Sequence, residues 1–202
     1  MKSNKYLIGI DEAGRGPLAG PLVFSLVAVR EGDYDNFLKE ISSFNIPLRD
    51  SKKLSLKMRL KWRKFLYQQR KEKKIIFSYK SIRAQRIDNL GLIKSSKFCI
   101  NCLLSCSDFS PLESKILLDG GLKAPVEYIF QETIIKGDEK EPLISLASII
   151  AKTTRDIKLC HLAKKFPEYG FEKHKGYGTK EHRQRIEYYG LCPEHRRSFV
   201  RK

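Results

Sequence analysis

Residues 5–21 read Lys5-Tyr6-Leu7-Ile8-Gly9-Ile10-Asp11-Glu12-Ala13-Gly14-Arg15-Gly16-Pro17-Leu18-Ala19-Gly20-Pro21. An apolar run over 6–10 leads straight into two adjacent carboxylates, Asp11 and Glu12, and then into a glycine-flanked arginine, Gly14-Arg15-Gly16. A second apolar run spans 22–29. The pattern predicts a strand over 5–10, a charged strand end, a Gly-rich turn and a second strand paired with the first. Neighbouring acids at the end of a buried strand are costly unless positive charge sits beside them, because unpaired buried carboxylates neutralise. A divalent cation is the natural partner, and hard oxygen ligands suit Mg²⁺ or Mn²⁺. The plain alternative is a solvated turn that carries Asp-Glu.

A later stretch repeats the arrangement. Lys115-Ile116-Leu117-Leu118-Asp119-Gly120 is a short apolar strand that ends in an acid and turns on glycine. If this strand lies beside the first, Asp119 joins Asp11 and Glu12, although Asp before Gly is also a common way to open a turn. A strand over 129–135 follows, then Lys136-Gly137-Asp138 with Glu139 and Glu141 close behind. Spacing alone does not choose among those three acids. Pro142 suits the first turn of a helix over 143–165. Small residues at Ser145, Ala147, Ser148 and Ala151 allow that helix to pack closely on the sheet. Lys152, Arg155 and Asp156 read as groups ordering the acids from behind, with a surface ion pair an equal reading for the last two.

Between these stretches, residues 34–44 form a short helix or loop broken by Pro47. Ser51 or Ser55 caps a helix over 56–70 with an apolar stripe of Met58, Trp62, Phe65 and Leu66. Its charges, Lys57, Arg59, Lys61, Arg63 and Lys64, read mostly as a solvated face. A third strand covers 75–79. Helical sequence begins at Ser81, breaks at Gly91 and resumes over 92–107 with Phe98, Cys99, Cys102, Leu103 and Cys106 facing inward. Near the C-terminus, Tyr169-Gly170-Phe171 precedes His174-Lys175-Gly176-Tyr177-Gly178-Thr179. Glycines on both sides of Tyr177 expose its ring to a close-approaching backbone. Thr179 caps a last helix over 180–189.

Composition narrows the partners. The chain has 202 residues, 41% of them hydrophobic, which suits one compact domain over 1–202 with 166–202 as a helical C-terminal extension. Forty Lys and Arg against 23 Asp and Glu leave a net charge of +17, which favours a polyanionic partner, nucleic acid ahead of a membrane surface. No signal peptide opens the sequence and no run of eighteen apolar residues occurs, so a cytoplasmic protein without membrane association is expected. The five cysteines are Cys99, Cys102, Cys106, Cys160 and Cys192. One helical cluster of thiols without a second Cys or His pair is a poor zinc site and reads as buried structural thiols.

The run over 9–21 resembles the opening signature of ribonuclease HII. The segments Asp50-Ser51-Lys52-Lys53-Leu54-Ser55, Ile87-Asp88-Asn89-Leu90-Gly91-Leu92-Ile93, Asp119-Gly120 and Lys136-Gly137-Asp138 agree with that family. So do the helix over 144–156, the Tyr177 loop and the tail over 193–199. Two departures stand out. Leu146 occupies a position where a small residue is expected, and Gly121-Leu122 lie where the family varies. The resemblance implies a ribonuclease H-like α/β fold, a mixed central sheet flanked by helices. It implies four metal-holding catalytic acids, Asp11, Glu12, Asp119 and Asp138. It also implies two-metal-ion hydrolysis with Mg²⁺ or Mn²⁺, leaving 5′-phosphate and 3′-hydroxyl ends. Substrate binding falls to Gly14, Arg15, Gly16, Lys52 and Tyr177, on RNA–DNA hybrids and on duplex DNA with embedded ribonucleotides. A monomer is expected. Ribonuclease HIII and a non-catalytic basic protein that coats nucleic acid are the other readings.

Overall fold

The computed structural model describes residues 5–44, 46, 48, 54–107 and 109–200. The strands are β1 (Tyr6–Ala13), β2 (Leu22–Arg30), β3 (Ile76–Ile82), β4 (Lys115–Asp119) and β5 (Gln131–Ile134). The helices are α1 (Tyr34–Ser43), α2 (Leu56–Lys71), α3 (Ala84–Ser105), α4 (Gly137–Lys140), α5 (Pro142–Lys165), α6 (Phe171–His174) and α7 (Lys180–Tyr189). One sheet runs in the order β3-β2-β1-β4-β5. β1 pairs antiparallel with β2 and parallel with β4, so the sheet is mixed, as expected.

Pairing around β1 creates the notch that matters. The strand does not stop at Ile10: Asp11, Glu12 and Ala13 remain paired with Ser25, Phe24 and Val23 of β2. Pairing with β4 ends at Ile10 opposite Leu118. Asp11 and Asp119 are therefore the next residues on two adjacent parallel strands.

Alternation along the strands sorts the core. Ile8, Ile10, Leu22, Phe24 and Leu26 pack with Ile100 and Leu103 of α3 on one face. On the other, Leu7, Val27 and Val29 meet Trp62 and Leu66 of α2 and Leu143, Leu146 and Ile150 of α5. Leu146, the departure from the family pattern, thus fills a core position. Gly9 lies under α5, where a Cβ would overlap the Leu143 backbone. The Ser25 hydroxyl donates to the Ala147 carbonyl across the same contact. The small residues expected to bring α5 close, Ser145, Ala147, Ser148 and Ala151, are all buried.

Several local expectations shift. β3 runs on to Ile82, so the next helix starts at Ala84 rather than Ser81. Gly91 does break it, with φ 74° and ψ 164°. Cys99 is buried, Cys102 half-buried and Cys106 exposed, because the helix ends at Ser105 before the heptad closes. Cys160 is exposed as well. Ser55 caps α2 by accepting from Met58 N, and Thr179 caps α7 by accepting from His182 N. Pro47, Ser51 and Lys52 lie outside the described residues.

Candidate active site

Asp11, Glu12 and Asp119 line one cleft of about 420 Å³ together with Gly14, Arg15, Gly16, Arg59, Lys152, Lys175 and Tyr177. The strand register delivers the two aspartates, and β1 adds Glu12. Burial raises the Asp11 carboxyl to about 6, with the charge of Asp119 adding to the effect and a hydrogen bond from Ser148 opposing it. Burial, then the charge of Asp11, raises Glu12 to about 7. Glu12 Oε1 is 3.6 Å from the exposed Arg15 guanidinium. Its Oε2 is buried and has no hydrogen-bond partner among the described residues. Two crowded acids with raised pKa values and an orphaned oxygen fit a divalent cation, the ligand that would relieve all three conditions. Among the described residues, no three His, Cys, Asp or Glu side chains are gathered tightly enough to ligate one ion as they stand. The acids share the cleft without converging on a point.

Asp138 does not line that cleft. It is buried beside it, tied in by two links. Gly137 N donates to Asp119 Oδ1 at 2.7 Å, and Lys152 Nζ lies 3.7 Å from Asp138 Oδ2. Lys136 takes the left-handed conformation, φ 56°, to turn the chain there. Lys152 also draws Asp11 downward by its charge, so one lysine from α5 serves both carboxylates.

The segment over 14–21 is held from behind by two buried arginines. Arg155 Nε donates to the Pro21 carbonyl at 3.0 Å and its Nη2 to the Ala19 carbonyl at 3.1 Å. The surface ion pair considered for Arg155 with Asp156 does not form. Asp156 instead meets Arg59 of α2 at 3.3 Å. Arg63 bonds the hydroxyls of Thr153 and Thr154, both at 2.9 Å. The charged face of α2 therefore divides: Lys57, Lys61 and Lys64 are exposed, while Arg59 and Arg63 tether α2 to α5. Arg196 donates to the carbonyls of Gly14 at 2.6 Å, Arg15 at 3.1 Å and Gly20 at 2.9 and 3.1 Å. Gly14 sits at φ 96°, and a Cβ there would overlap the Arg155 side chain.

Tyr177 is half exposed on the cleft wall, its ring 5.9 Å from the Arg155 guanidinium. Its carbonyl accepts from His182 Nδ1 at 2.9 Å. His182 Nε2 meets His195 Nε2 at 3.0 Å, and His195 Nδ1 accepts from Cys192 N at 3.0 Å. These partners assign both rings: His195 carries its proton on Nε2 and donates to His182, whose proton is on Nδ1. Burial lowers both imidazoles, His182 to about 4, and keeps the pair neutral. Sequence reasoning did not single out His182, His195 or Arg196. They belong to α7 and the tail, and nothing local marks them as neighbours of residues 14–20.

A mixed sheet flanked by helices, with carboxylates at the ends of its two parallel central strands, defines a ribonuclease H-like nuclease. The profile of the family described as Ribonuclease HII matches residues 8–202. The chain belongs to that family of metal-dependent endoribonucleases, which act on RNA in RNA–DNA hybrids. A ribonuclease HII of Bacillus cytotoxicus is 42% identical over 196 residues, covering 96% of this chain and 68% of that one. The crystal structure of ribonuclease H2 from Pyrococcus horikoshii superposes with a TM-score of 0.71 at 25% identity, covering 96% of this chain and 93% of that one. Bst-RNase HIII in complex with Mn²⁺ shares the fold, with a TM-score of 0.65 at 13% identity over 98% of this chain and 68% of that one. No helix among the described residues is long and apolar enough to cross a membrane.

Proposed function

We propose that this chain cuts the RNA strand of hybrids and also cleaves at single ribonucleotides embedded in duplex DNA, leaving 5′-phosphate and 3′-hydroxyl ends. Ribonucleotide removal from DNA in the cytoplasm is the role that follows. The observation that carries this reading is the cleft itself. It sets Asp11, Glu12 and Asp119 beside a glycine-flanked turn and an exposed tyrosine.

Asp11, Glu12 and Asp119 are the residues that would hold the cofactor, Mg²⁺ or Mn²⁺. Asp138 completes the acidic set, adjoining Asp119 through Gly137 and sharing Lys152 with Asp11. The Mn²⁺ complex of the fold-sharing ribonuclease HIII supports that choice of ions. A pair of such ions, when bound, supplies charge neutralisation at the phosphate and an activated water at neutral pH. Arg15, exposed on the rim, takes a phosphate. The backbone of Gly14, Arg15 and Gly16 reads the 2′-hydroxyl, the group that separates RNA from DNA. Tyr177 packs on the adjoining deoxyribose, and Lys52, by the family resemblance, contacts a nearby phosphate. The protein acts as a monomer.

The test is cleavage of a DNA duplex carrying one ribonucleotide, with Mg²⁺ and Mn²⁺ in parallel and all-DNA duplex and EDTA as controls. One metal-dependent cut on the 5′ side of the ribonucleotide is expected. Cleavage of long hybrids alone would retain the acids and remove the turn as a junction reader. Cutting that survives EDTA would remove the metal assignment.

A further inference from the structure

The tail residue Arg196 is fully buried, yet no carboxylate forms an ion pair with it among the described residues. A buried cation needs its donors satisfied, and here neutral carbonyls do it. All of them belong to one short segment: Gly14, Arg15 and Gly20. The backbone adds to the clasp, with Arg196 N donating to Leu18 O at 2.7 Å and Gly20 N donating to Glu194 O at 2.8 Å. The Phe199 ring closes over the guanidinium at 5.2 Å.

Peptide geometry turns this clasp into a statement about the cleft. In a planar trans peptide, the carbonyl of one residue and the N–H of the next point in opposite directions. No peptide bond among the described residues is cis. Drawing the Gly14 and Arg15 carbonyls back onto Arg196 therefore turns the N–H groups of Arg15 and Gly16 away from it. Gly14, Arg15 and Gly16 line the cleft that holds the acids.

We propose that Arg196 is a positioning residue for substrate discrimination: by gripping the Gly14 and Arg15 carbonyls it aims the Arg15 and Gly16 amides at the ribose 2′-hydroxyl. This rests on the reading of the Gly-Arg-Gly turn as the 2′-hydroxyl sensor. The grip needs a planar fork with several fixed donors, which arginine has and lysine lacks. Arg155 holds only Ala19 and Pro21 and does not substitute for it.

The experiment compares wild type, Arg196→Lys and Arg196→Met on two duplexes. One carries a single ribonucleotide and the other a 2′-fluoro nucleotide at the same place. The readout is the ratio of kcat/KM between them, with melting temperature and affinity for all-DNA duplex measured alongside. Wild type should favour the ribonucleotide strongly. Both variants should lose at least about tenfold of that preference, because a site built to hydrogen-bond a hydroxyl discriminates through aligned donors. The loss should fall in kcat, with affinity for all-DNA duplex unchanged.

An unchanged ratio in a folded variant overturns the proposal, as does full rescue by lysine or an equal loss on both duplexes. A wild type that does not prefer the ribonucleotide overturns the sensor reading itself. If neither variant folds, wild-type NMR decides. Metal-free protein titrated with the ribonucleotide duplex should shift the Arg15 and Gly16 amides and the Arg196 Nη–H groups that bond the Gly14 and Arg15 carbonyls, beyond any shift that all-DNA duplex produces. Shifts that do not distinguish the duplexes count against Arg196.

Discussion

Asp11 and Glu12 carry opposing demands, since the proposed cation site would need them charged and burial penalises the charge. Both pKa values lie above their ordinary carboxylate values, at about 6 and about 7. The folded metal-free protein therefore holds protons that the unfolded chain has released, and its stability falls as pH rises from about 4 to about 7. Asp11→Asn removes part of that penalty. In EDTA it should melt above wild type near pH 8, with the difference vanishing near pH 4. The same variant should lose more than about 100-fold in cleavage, since even the outer partners of metal ligands cost about 10–100-fold. Differential scanning fluorimetry and a single-ribonucleotide cleavage assay check the two halves. Unchanged turnover would remove Asp11 from the site. Gly14 makes a steric counterpart. At φ 96°, with the Arg155 side chain in the space a Cβ needs, Gly14→Ala should cost about 1–3 kcal/mol in urea melts.

At the scale of elements, two contacts set the cleft. The first is α5 on β1, close enough that Gly9 has no room for a methyl group beneath Leu143. Gly9→Ala should destabilise by about 1–3 kcal/mol, the cost of overpacking a well-filled core, and should lower cleavage by moving Ser148 and Lys152 away from Asp11. Chemical denaturation gives the first effect, and kcat the second. The other contact is the histidine relay from the tail through α7 to the Tyr177 carbonyl. His182 stays neutral in the fold down to about pH 4 but is protonated below about 6.5 when unfolded. Its contribution to stability is present above the unfolded value and is lost as pH falls toward the folded one. This slope is opposite to that of the two acids. His182→Gln should flatten the acid side of the pH–stability curve between about 6.5 and about 4, read from melting temperatures across that range.

Over the whole molecule, charge sets how a polyanion is met. With a net charge of +17, affinity for uncut duplex should fall linearly with salt on logarithmic axes, with a slope of about −0.9 per phosphate neutralised. Fluorescence anisotropy with the Asp11→Asn protein checks this, and a flat response would deny phosphate contacts a leading part. Much of the molecule was legible along the chain. The strand periods, the Gly91 break, the Ser55 and Thr179 caps and the acids at 11, 12 and 119 are local signals, carried by side-chain alternation and backbone preference over a few residues. What the sequence by itself determined, then, is which segments become strands and helices and that acids lie toward the C-terminal ends of two of the strands. The tertiary structure alone decided that β1 and β4 lie side by side in register and that Asp138 sits behind the cleft rather than on its wall. It also decided that Cys106 faces outward and that Arg196 and Arg155 clasp the turn over 14–21. These are contacts between residues far apart in the chain. They form because buried carbonyls and charges must find partners once the sheet and α5 exclude water, and no local pattern records which distant group will supply them.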